Sequence, residues 1–335
     1  MNLRLTLAAL ALGTTALPAL AAEVNVYSHR QPELIQPLID AFTAETGIAV
    51  NIAFVDKGMV ERLVAEGDRS PADLVLTVDI ARLQQVVDAG VTQPVQSEVL
   101  EANIPAALRD EGDHWFGLTA RARIVYAHKD RVAPGEVTTY EDLVSDKWKG
   151  RICTRSGTND YNIALLAAVI AHHGEDEARA WAEGLKANLA RKPAGGDRDQ
   201  VLAIAAGECD IAIGNTYYIG QMLNNPEQKE AAETVRVDFP VFQGAGTHLN
   251  VSGVAMTRAA PNKEAALQFM EWLSSDRAQA IYAETNHEFP VKPGVARSAL
   301  VASWGEFTPD TMGLTEVARQ RPAALKIMEE INFDG

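Results

Sequence analysis

Two adjacent tyrosines, Tyr217 and Tyr218, stand in the segment GNTYYIG, directly after the apolar run CDIAI. Adjacent side chains point to opposite faces of a strand and diverge by about 100° around a helix, so a packing purpose shared by both is hard to find. A third tyrosine, Tyr161, stands in the segment SGTNDYN. Phenols can hydrogen bond to an organic ligand or bind a hard, highly charged cation as phenolates. They can equally cap the core with their hydroxyls in water, and spacing alone does not choose among these roles.

The elements that would position these tyrosines follow from the hydrophobic pattern. Strand and helix patterns alternate from residue 23, beginning with the strand VNVYS, the helix QPELIQPLIDAFTAETG and the strand IAVNIAFV. This alternation predicts right-handed βαβ units and mostly parallel sheets with flanking helices. Ligands of such sheets bind beyond the carboxyl ends of the strands, near helix N-termini. The segments 156–162 and 214–218 are strand-to-helix turns of this kind, so we expect their tyrosines to face one place, where hard phenolate oxygens would favour ferric iron.

Two long strand patterns interrupt the alternation, at residues 115–130 and 247–257, and a second α/β set lies between them. We therefore predict a two-lobed α/β protein whose lobes are joined by two crossing strands, an arrangement that lets a protein close around a ligand. In this prediction residues 23–120 and 254–335 form the N-terminal lobe. Residues 121–253 form a C-terminal lobe that is inserted between the crossing strands.

The first residues and the overall charge restrict where the protein acts. Arg4, an apolar segment and small residues form the pattern of a secretory signal peptide over residues 1–22, cleaved near Ala21 or Ala22. About 310 residues remain, enough for one large or two ordinary domains. No later segment is apolar enough, over the ~20 residues required, to span a bilayer. The formal net charge of −15 makes nucleic acid and anionic membranes poor partners.

Two cysteines in an exported chain suggest one disulfide. Cys153 in GRICTR and Cys209 in GECDIAI each begin a short apolar run that is typical of a strand. If these strands are neighbours, the bond closes a loop of about 56 residues and stabilises the fold by roughly 4 kcal/mol through chain entropy. Two buried free thiols are the alternative. Neither cysteine has the C-x-x-C spacing or the flanking histidine of a catalytic thiol.

A resemblance to a known family is carried by six successive segments: VYSHRQPELIQPLIDAFTAETGI, PADLVLTVD, WFGLTARARIVYAHKD, KWKGRICTRSG, GNTYYIGQML and NVSGVAM. Their succession resembles the periplasmic ferric-iron-binding proteins of ABC importers, which are type II solute-binding proteins with a transferrin-like fold. The resemblance covers essentially all of the chain after the signal peptide, and the N-x-Y-Y turn is its most specific element. It implies that Tyr217 and Tyr218 bind Fe(III) as phenolates and that Tyr161 is a third such ligand.

The resemblance also assigns roles around the iron. Arg121, the first arginine of ARAR, matches the arginine that in this family holds a synergistic anion such as carbonate or offsets the phenolate charge. A guanidinium fork suits either task. We expect Arg123 to be structural or a charge at the cleft edge. Asp79 is expected to support the site or form a salt bridge, and Asn215 and Ser252 to orient the loop or the anion.

One position departs from the family pattern. Relatives often supply a histidine, or His-Tyr, from the first lobe after the first strand, where this sequence has Gln31 followed by Pro32. Gln31 could offer a neutral amide oxygen to iron or to a bound water, and Tyr27 and His29 are further candidates. The first lobe would then contribute no strong ligand, which leaves a three-tyrosine site completed by carbonate or water.

The expected protein is therefore a monomeric periplasmic binding protein, not an enzyme, that delivers Fe(III) to an inner-membrane ABC permease and its ATPase. No G-x-S-x-G, H-E-x-x-H or P-loop pattern is present. His172 and His173 end a helix, where they complement its dipole and are not expected to bind metal. Two alternatives stay open. One is a protein of the same fold that binds a small anion through Arg121 and helix N-termini, and the other is an exported enzyme on the same scaffold.

Overall fold

The computed structural model describes residues 22–55 and 57–335, so the predicted signal peptide lies outside the described residues except for its last position. In this part of the chain the strands are β1 (Glu23–Ser28), β2 (Ala49–Phe54), β3 (Leu74–Thr77), β4 (Phe116–His128), β5 (Ile152–Cys153), β6 (Ile211–Asn215), β7 (Val235–Asp238), β8 (Leu249–Met256) and β9 (Phe289–Pro290). The α-helices are α1 (Pro32–Thr46), α2 (Met59–Glu66), α3 (Ile80–Asp88), α4 (Glu98–Asn103), α5 (Asp160–His173), α6 (Glu175–Ala187), α7 (Asp197–Ala205), α8 (Thr216–Leu223), α9 (Lys229–Glu233), α10 (Lys263–Leu273), α11 (Asp276–Asn286), α12 (Ala299–Ser303), α13 (Leu314–Arg319) and α14 (Arg321–Glu330). None of these helices is long and apolar enough to cross a membrane.

Local sequence signals explain the bounds of α1. Pro32 occupies the first position of the helix, where its fixed φ fits and its missing N–H is not needed. The helix ends at Gly47, whose φ of 73° is the left-handed conformation that glycine adopts without a steric penalty. The buried side chains Ile35, Leu38, Ile39 and Phe42 recur at helical spacing, so one face of α1 packs on the core.

Strand β4 joins the two halves of the molecule. The strand order is β2-β1-β3-β8-β4-β6-β5, and β7 and β9 also pair with β4. Residues 116–122 of β4 pair with β8, whereas residues 123–127 pair with β6. β4 therefore leaves one sheet and enters the other, and the N–H of Arg123 donates to the carbonyl of His248, just before β8, at 3.0 Å. The two predicted crossing strands are thus β4 and β8.

The prediction of mostly parallel sheets is wrong, because antiparallel strand pairs outnumber parallel pairs. β1 pairs in parallel with β2 and β3, and β5 pairs in parallel with β6. β8 is antiparallel to β3 and β4, and β4 is antiparallel to β6, β7 and β9. The reason is topological, because a chain that crosses into the inserted lobe on one strand must return in the opposite direction on the other. Both sheets are therefore mixed.

The C-terminal helices pack on the inserted lobe. Apolar side chains of α13 and α14 belong to the same buried cluster as those of α5 and α6, namely Val317, Ala324, Ile327 and Met328. The ammonium group of Lys186 on α6 also donates to the carbonyl of Ile331 at 2.9 Å. This packing differs from the predicted boundary, which placed residues 254–335 in the N-terminal lobe, because the apolar face of α14 is covered by α5. The other lobe boundaries stay predictions.

The predicted disulfide is confirmed. Cys153 on β5 is bonded to Cys209, two residues before β6, with Cα atoms 5.9 Å apart and a sequence separation of 56 residues. β5 and β6 are parallel neighbours that pair Ile152 with Ile211, which is the adjacency that the prediction required. The alternative of two free thiols is therefore wrong.

Candidate metal site

Two strand-to-helix turns of the inserted lobe carry the three tyrosines. The chain leaves β5 and enters α5, where the side chain of Asn159 accepts a hydrogen bond from the N–H of Tyr161 at 3.0 Å. Such a cap satisfies a donor that the first helical turn would otherwise leave unpaired. β6 runs directly into α8, which begins at Thr216. Tyr161 consequently lies in the first turn of α5, and Tyr217 and Tyr218 lie in the first turn of α8.

Both glycines of GNTYYIG are needed because other side chains approach them closely. A Cβ atom at Gly214 would lie 2.1 Å from the ring of Tyr126, and one at Gly220 would lie 2.4 Å from the ring of His287. The hydroxyl of Tyr126 donates to the carbonyl of Asn215 at 2.5 Å. Only glycine, which has no Cβ atom, permits such a close approach. The resulting contacts hold the end of β6 and the start of α8 in place.

The three tyrosines line one cavity of about 220 Å³. The hydroxyl of Tyr217 lies 3.3 Å from the hydroxyl of Tyr161. The rings of Tyr217 and Tyr218 have centroids 4.3 Å apart and are inclined by 42°. The structure therefore brings together the three phenols that the sequence singled out.

The phenols of α8 resist ionisation. Burial raises the pKa of Tyr217 well above the ordinary phenol value, the nearby Tyr161 and Tyr218 raise it further, and Arg121 lowers it. Burial also raises the pKa of Tyr218, to which Tyr161 and then Asp197 add. Both side chains are consequently neutral at neutral pH unless a cation displaces their protons. A cation able to do so must be strongly polarising, as a trivalent ion is.

Guanidinium groups surround the ring of Tyr161. The Cζ atoms of Arg121, Arg123 and Arg155 lie 5.6, 5.8 and 5.3 Å from its centroid. Cations at this distance from an aromatic face are attracted by the ring and supply positive charge to the site. They would also offset the negative charge that phenolates bring into a buried cavity.

Arg121 is buried in the wall of this cavity. Its Nη1 donates to the hydroxyl of Ser252, which also lines the cavity, at 3.3 Å. Its Nη2 donates to the carbonyl of Val78. Neither partner is charged, and no carboxylate within residues 22–55 and 57–335 forms an ion pair with Arg121. A guanidinium has five N–H donors, so this group retains capacity for an anion.

Arg123 and Arg155 are held by Asp197, which sequence reasoning missed. Asp197 Oδ2 accepts from Arg123 Nη1 at 2.6 Å and from the N–H of Asn215 at 2.9 Å, and its Oδ1 accepts from Arg155 Nη1 at 3.2 Å. The side-chain oxygen of Asn215 also accepts from Arg123, at 3.1 Å. Asn215 does not line the cavity, but these bonds fix it in place directly before α8. Its partner Asp197 lies in the segment GGDRDQ, whose pattern indicates only a helix start.

Asp79 supports α3 and lies behind the cavity wall. Its Oδ1 accepts from the N–H of Ala81 at 2.7 Å and its Oδ2 from the Nδ2 of Asn250 at 2.6 Å. Burial raises the pKa of Asp79, although the nearby Arg121 lowers it. Asp79 is not among the residues that line the cavity. Its hydrogen bonds tie the first turn of α3 to the crossing strand β8.

The first-lobe candidates fall into two groups. Gln31 and His29 line the cavity. Gln31 is exposed and precedes α1 without a capping hydrogen bond from its side chain. Tyr27 is not among the cavity-lining residues, and its hydroxyl donates to Glu66 Oε1 at 2.8 Å. Of the three candidates, Tyr27 is therefore the one that the structure places away from the other phenols.

A buried ion pair in the first-lobe wall gave no sequence signal. Arg30 pairs with Glu288, and the hydroxyl of Thr119 donates to the same carboxylate at 3.1 Å. The guanidinium carbon of Arg30 lies 5.1 Å from the ring centroid of Tyr282. Arg30 and Glu288 are separated by 258 residues. Because its carboxylate is already bonded to Arg30, Glu288 lines the cavity without offering a free anionic ligand.

Asp160, the residue before Tyr161, is bound from two directions. Its Oδ2 accepts from Arg82 Nη2 at 2.6 Å and Nε at 3.0 Å, and its Oδ1 accepts from Arg321 Nη2 at 2.7 Å. Burial alone would raise the pKa of Asp160, but the two arginines outweigh burial and lower it. Asp160 is therefore an ionised carboxylate at neutral pH. Its role as an ion-pair partner was missed, because the sequence indicates only a helix cap at this position.

The histidines at the other end of α5 take no part in the cavity. His172 Nε2 lies 2.7 Å from Asp310 Oδ2, and His173 Nε2 lies 2.8 Å from Glu141 Oε1. In the described part of the chain, no group of three or more His, Cys, Asp or Glu side chains is arranged to hold a metal ion. The phenol cluster is a donor set of a different kind.

The fold and the cavity between the two sheets are those of a two-lobed binding protein. The sequence model of the family described as bacterial extracellular solute-binding protein matches residues 37–309, and the chain belongs to this family. This match confirms the class that the sequence resemblance indicated.

Individual relatives are iron proteins by name. Iron uptake protein A1 of Synechocystis sp. is 46% identical over 320 residues, which cover 94% of this chain and 89% of that protein. The crystal structure of apo ferric ion-binding protein A from Pasteurella haemolytica superposes with a TM-score of 0.91 and 52% identity, over 94% of this chain and 99% of that chain. The Trichodesmium protein IdiA (FutA), in complex with iron and citrate ligands, superposes with a TM-score of 0.87 and 40% identity, over 93% of this chain and 100% of that chain.

Proposed function

We propose that this protein binds Fe(III) in the cavity between its lobes through the phenolates of Tyr161, Tyr217 and Tyr218. The observation that carries the proposal is the convergence of three phenols from two helix starts on one cavity that arginines also line. Three phenolates balance the three charges of ferric iron, and hard oxygen ligands suit this ion. The names of the relatives, which include ferric ion-binding and iron uptake proteins, support the same ligand.

Arg121 would hold a small anion, such as carbonate, that accompanies the iron. The guanidinium makes two hydrogen bonds to uncharged partners, and its planar fork matches two oxygens of an anion. The structure of the Trichodesmium protein contains citrate together with iron, so an anion accompanies the metal in that relative. Gln31, His29 or a water would complete the coordination from the first lobe.

The protein would act as a periplasmic carrier. Its signal peptide would be removed near Ala21 or Ala22, and the monomer would deliver iron to an inner-membrane ABC permease and its ATPase. The extracellular solute-binding family supports this setting. Capture and release require no covalent step, so the protein would not be an enzyme. Protonation of the phenolates, reduction to Fe(II) or opening of the lobes by the permease would each weaken binding.

The test is a titration of the purified, iron-free protein with ferric citrate. We expect an orange to red colour from phenolate-to-iron charge transfer, saturating near one iron per protein. The matched variants are Tyr217→Phe, which removes a cavity phenol, and Tyr27→Phe, which removes a phenol outside the cavity. The proposal is wrong if the wild-type protein stays colourless and Tyr217→Phe retains as much iron as the wild type.

A second candidate is the binding of a small anion alone. It is favoured by the four arginines that line the cavity, Arg30, Arg82, Arg121 and Arg155. The same titration separates the two, because an anion binder would stay colourless with ferric citrate. It would release heat when titrated with citrate or carbonate without iron, and Arg121→Gln would abolish that heat while Tyr217→Phe would not.

A further inference from the structure

The cavity that holds the tyrosines adjoins a second cavity, and an ion pair together with His29 forms the wall that the two cavities share. The second cavity, called the outer cavity here, has a volume of about 450 Å³ and is lined in part by Lys57, Gln85, Arg82, Asp160 and Arg321. Arg82 and Asp160 also line the tyrosine cavity. Their side chains therefore stand in the wall between the two cavities, directly beside Tyr161.

The pair also crosses from one lobe to the other. Arg82 lies on α3, which is tied to β8 through the hydrogen bonds of Asp79, and Asp160 is the first residue of α5 in the inserted lobe. Two hydrogen bonds, at 2.6 and 3.0 Å, join Arg82 to a single carboxylate oxygen. Movement of α3 away from α5 would lengthen both.

The other partner of Asp160 stays on the same side of the cleft. Arg321 begins α14, which packs on α5, and its Nη2 donates to Asp160 Oδ1 at 2.7 Å. If the lobes separate, Arg321 moves with Asp160 and keeps the carboxylate compensated. Breaking the contact with Arg82 therefore leaves no unpaired buried anion, which would otherwise be strongly destabilising. The side chains of Arg82 and Asp160 are 24% and 19% exposed, so water can replace the lost hydrogen bonds.

We propose that Arg82 and Asp160 form a reversible ionic latch that holds the two lobes closed over the iron and shuts the tyrosine cavity off from the outer cavity. This inference rests on the proposed function, and it assigns Arg82 and Asp160 a positioning role and not metal ligation. Iron would enter and leave on the side of the outer cavity when the latch opens. Asp160 is the first residue of α5 and directly precedes Tyr161, so closing the latch secures one phenol in place.

The experiment measures the rate at which excess EDTA removes iron from protein loaded with ferric citrate, followed by the loss of the charge-transfer colour. Arg82→Gln removes the contact across the cleft, and we expect release about fivefold faster, the size that a partly exposed ion pair supports. The position of the absorption band should not change, because the phenolates remain. Arg321→Gln should change the rate less than about twofold. The matched control is Arg179→Gln, which breaks a surface ion pair with Glu330 and should leave the rate unchanged.

A second measurement tests the latch independently of iron binding. Small-angle X-ray scattering of iron-free protein should show a larger radius of gyration for Arg82→Gln than for the wild type, and no change for Arg179→Gln. The latch is wrong if iron-loaded Arg82→Gln releases iron at the wild-type rate, or if Arg321→Gln accelerates release as much. If the wild type takes up no ferric iron, the proposed function fails by itself. Unchanged scattering of Arg82→Gln would then overturn the latch as well.

Discussion

Removing the hydroxyl of Tyr217 gives the sharpest prediction, because it changes the number of protons that the protein releases when it binds iron. Burial raises the pKa of Tyr217 and Tyr218 above the ordinary phenol value, so both are protonated at neutral pH in the iron-free protein. Binding of Fe(III) by these phenolates then releases one proton from Tyr217 and one from Tyr218. Linkage requires the affinity to rise tenfold per pH unit for each proton released, so lower pH favours release of iron.

Tyr217→Phe should reduce this count by one. The slope of log affinity against pH should fall by one unit relative to the wild type, when both are titrated against the same chelator with the same anion. At neutral pH the affinity should fall by more than about 100-fold, because losing a partner outside the coordination shell already costs about 10- to 100-fold. The iron-free variant should be as stable as the wild type to within about 1 kcal/mol, because the lost hydrogen bond to Tyr161 is a long one, at 3.3 Å.

The assay is chelator competition between about pH 6 and pH 8, where free phenols remain protonated. Tyr27→Phe is the control, because Tyr27 donates its hydroxyl to Glu66 and does not line the cavity. It should keep the wild-type slope. Equal slopes for Tyr217→Phe and the wild type would show that this phenol does not ionise on binding, and would refute the reasoning.

Three further predictions concern the surroundings of the phenols. Arg121→Gln should lower ferric affinity by about 10- to 100-fold and remove any dependence of the affinity on added bicarbonate. The same chelator competition, run with and without bicarbonate, measures both effects. An unchanged dependence on bicarbonate would contradict the role of Arg121 in binding an anion. Gln31→Ala should change the affinity by less than about fivefold, because an exposed neutral amide is a weak ligand, and a larger loss would make Gln31 a ligand. Replacing Cys153 and Cys209 together by alanine should lower the free energy of unfolding by about 4 kcal/mol, the entropy of a 56-residue loop, measured by urea denaturation. An unchanged denaturation midpoint would contradict that expectation.

Local patterns were sufficient to predict the elements that carry the tyrosines and the first helix, but not the short helices or the C-terminal helices α12 to α14. Helical spacing, Pro32 and Gly47 indicate where α1 begins and ends, and these signals act within a few residues. The same holds for the two turns that carry the tyrosines, since a strand that leads into a helix positions its side chains by short-range geometry. Local patterns did not predict the relative direction of neighbouring strands in the sheets. Whether β8 runs parallel or antiparallel to β3 depends on the path of the whole inserted lobe.

The charged partners of the phenols were set by packing alone. Arg30 and Glu288 are 258 residues apart, and Arg82 and Asp160 are 78 residues apart, so no local pattern could join them. A carboxylate at a helix start has the same sequence signature whether it caps the helix or binds arginines from elsewhere.

The sequence by itself therefore determined which residues could bind a hard cation and on which turns they lie, because periodicity, capping and turn chemistry are short-range. Only the tertiary structure decided which charges surround those phenols, because ion pairs form between segments that the two lobes and the C-terminal helices bring together. It also decided that Tyr27, equally a phenol, bonds to Glu66 away from the cavity, whereas Gln31 lines it.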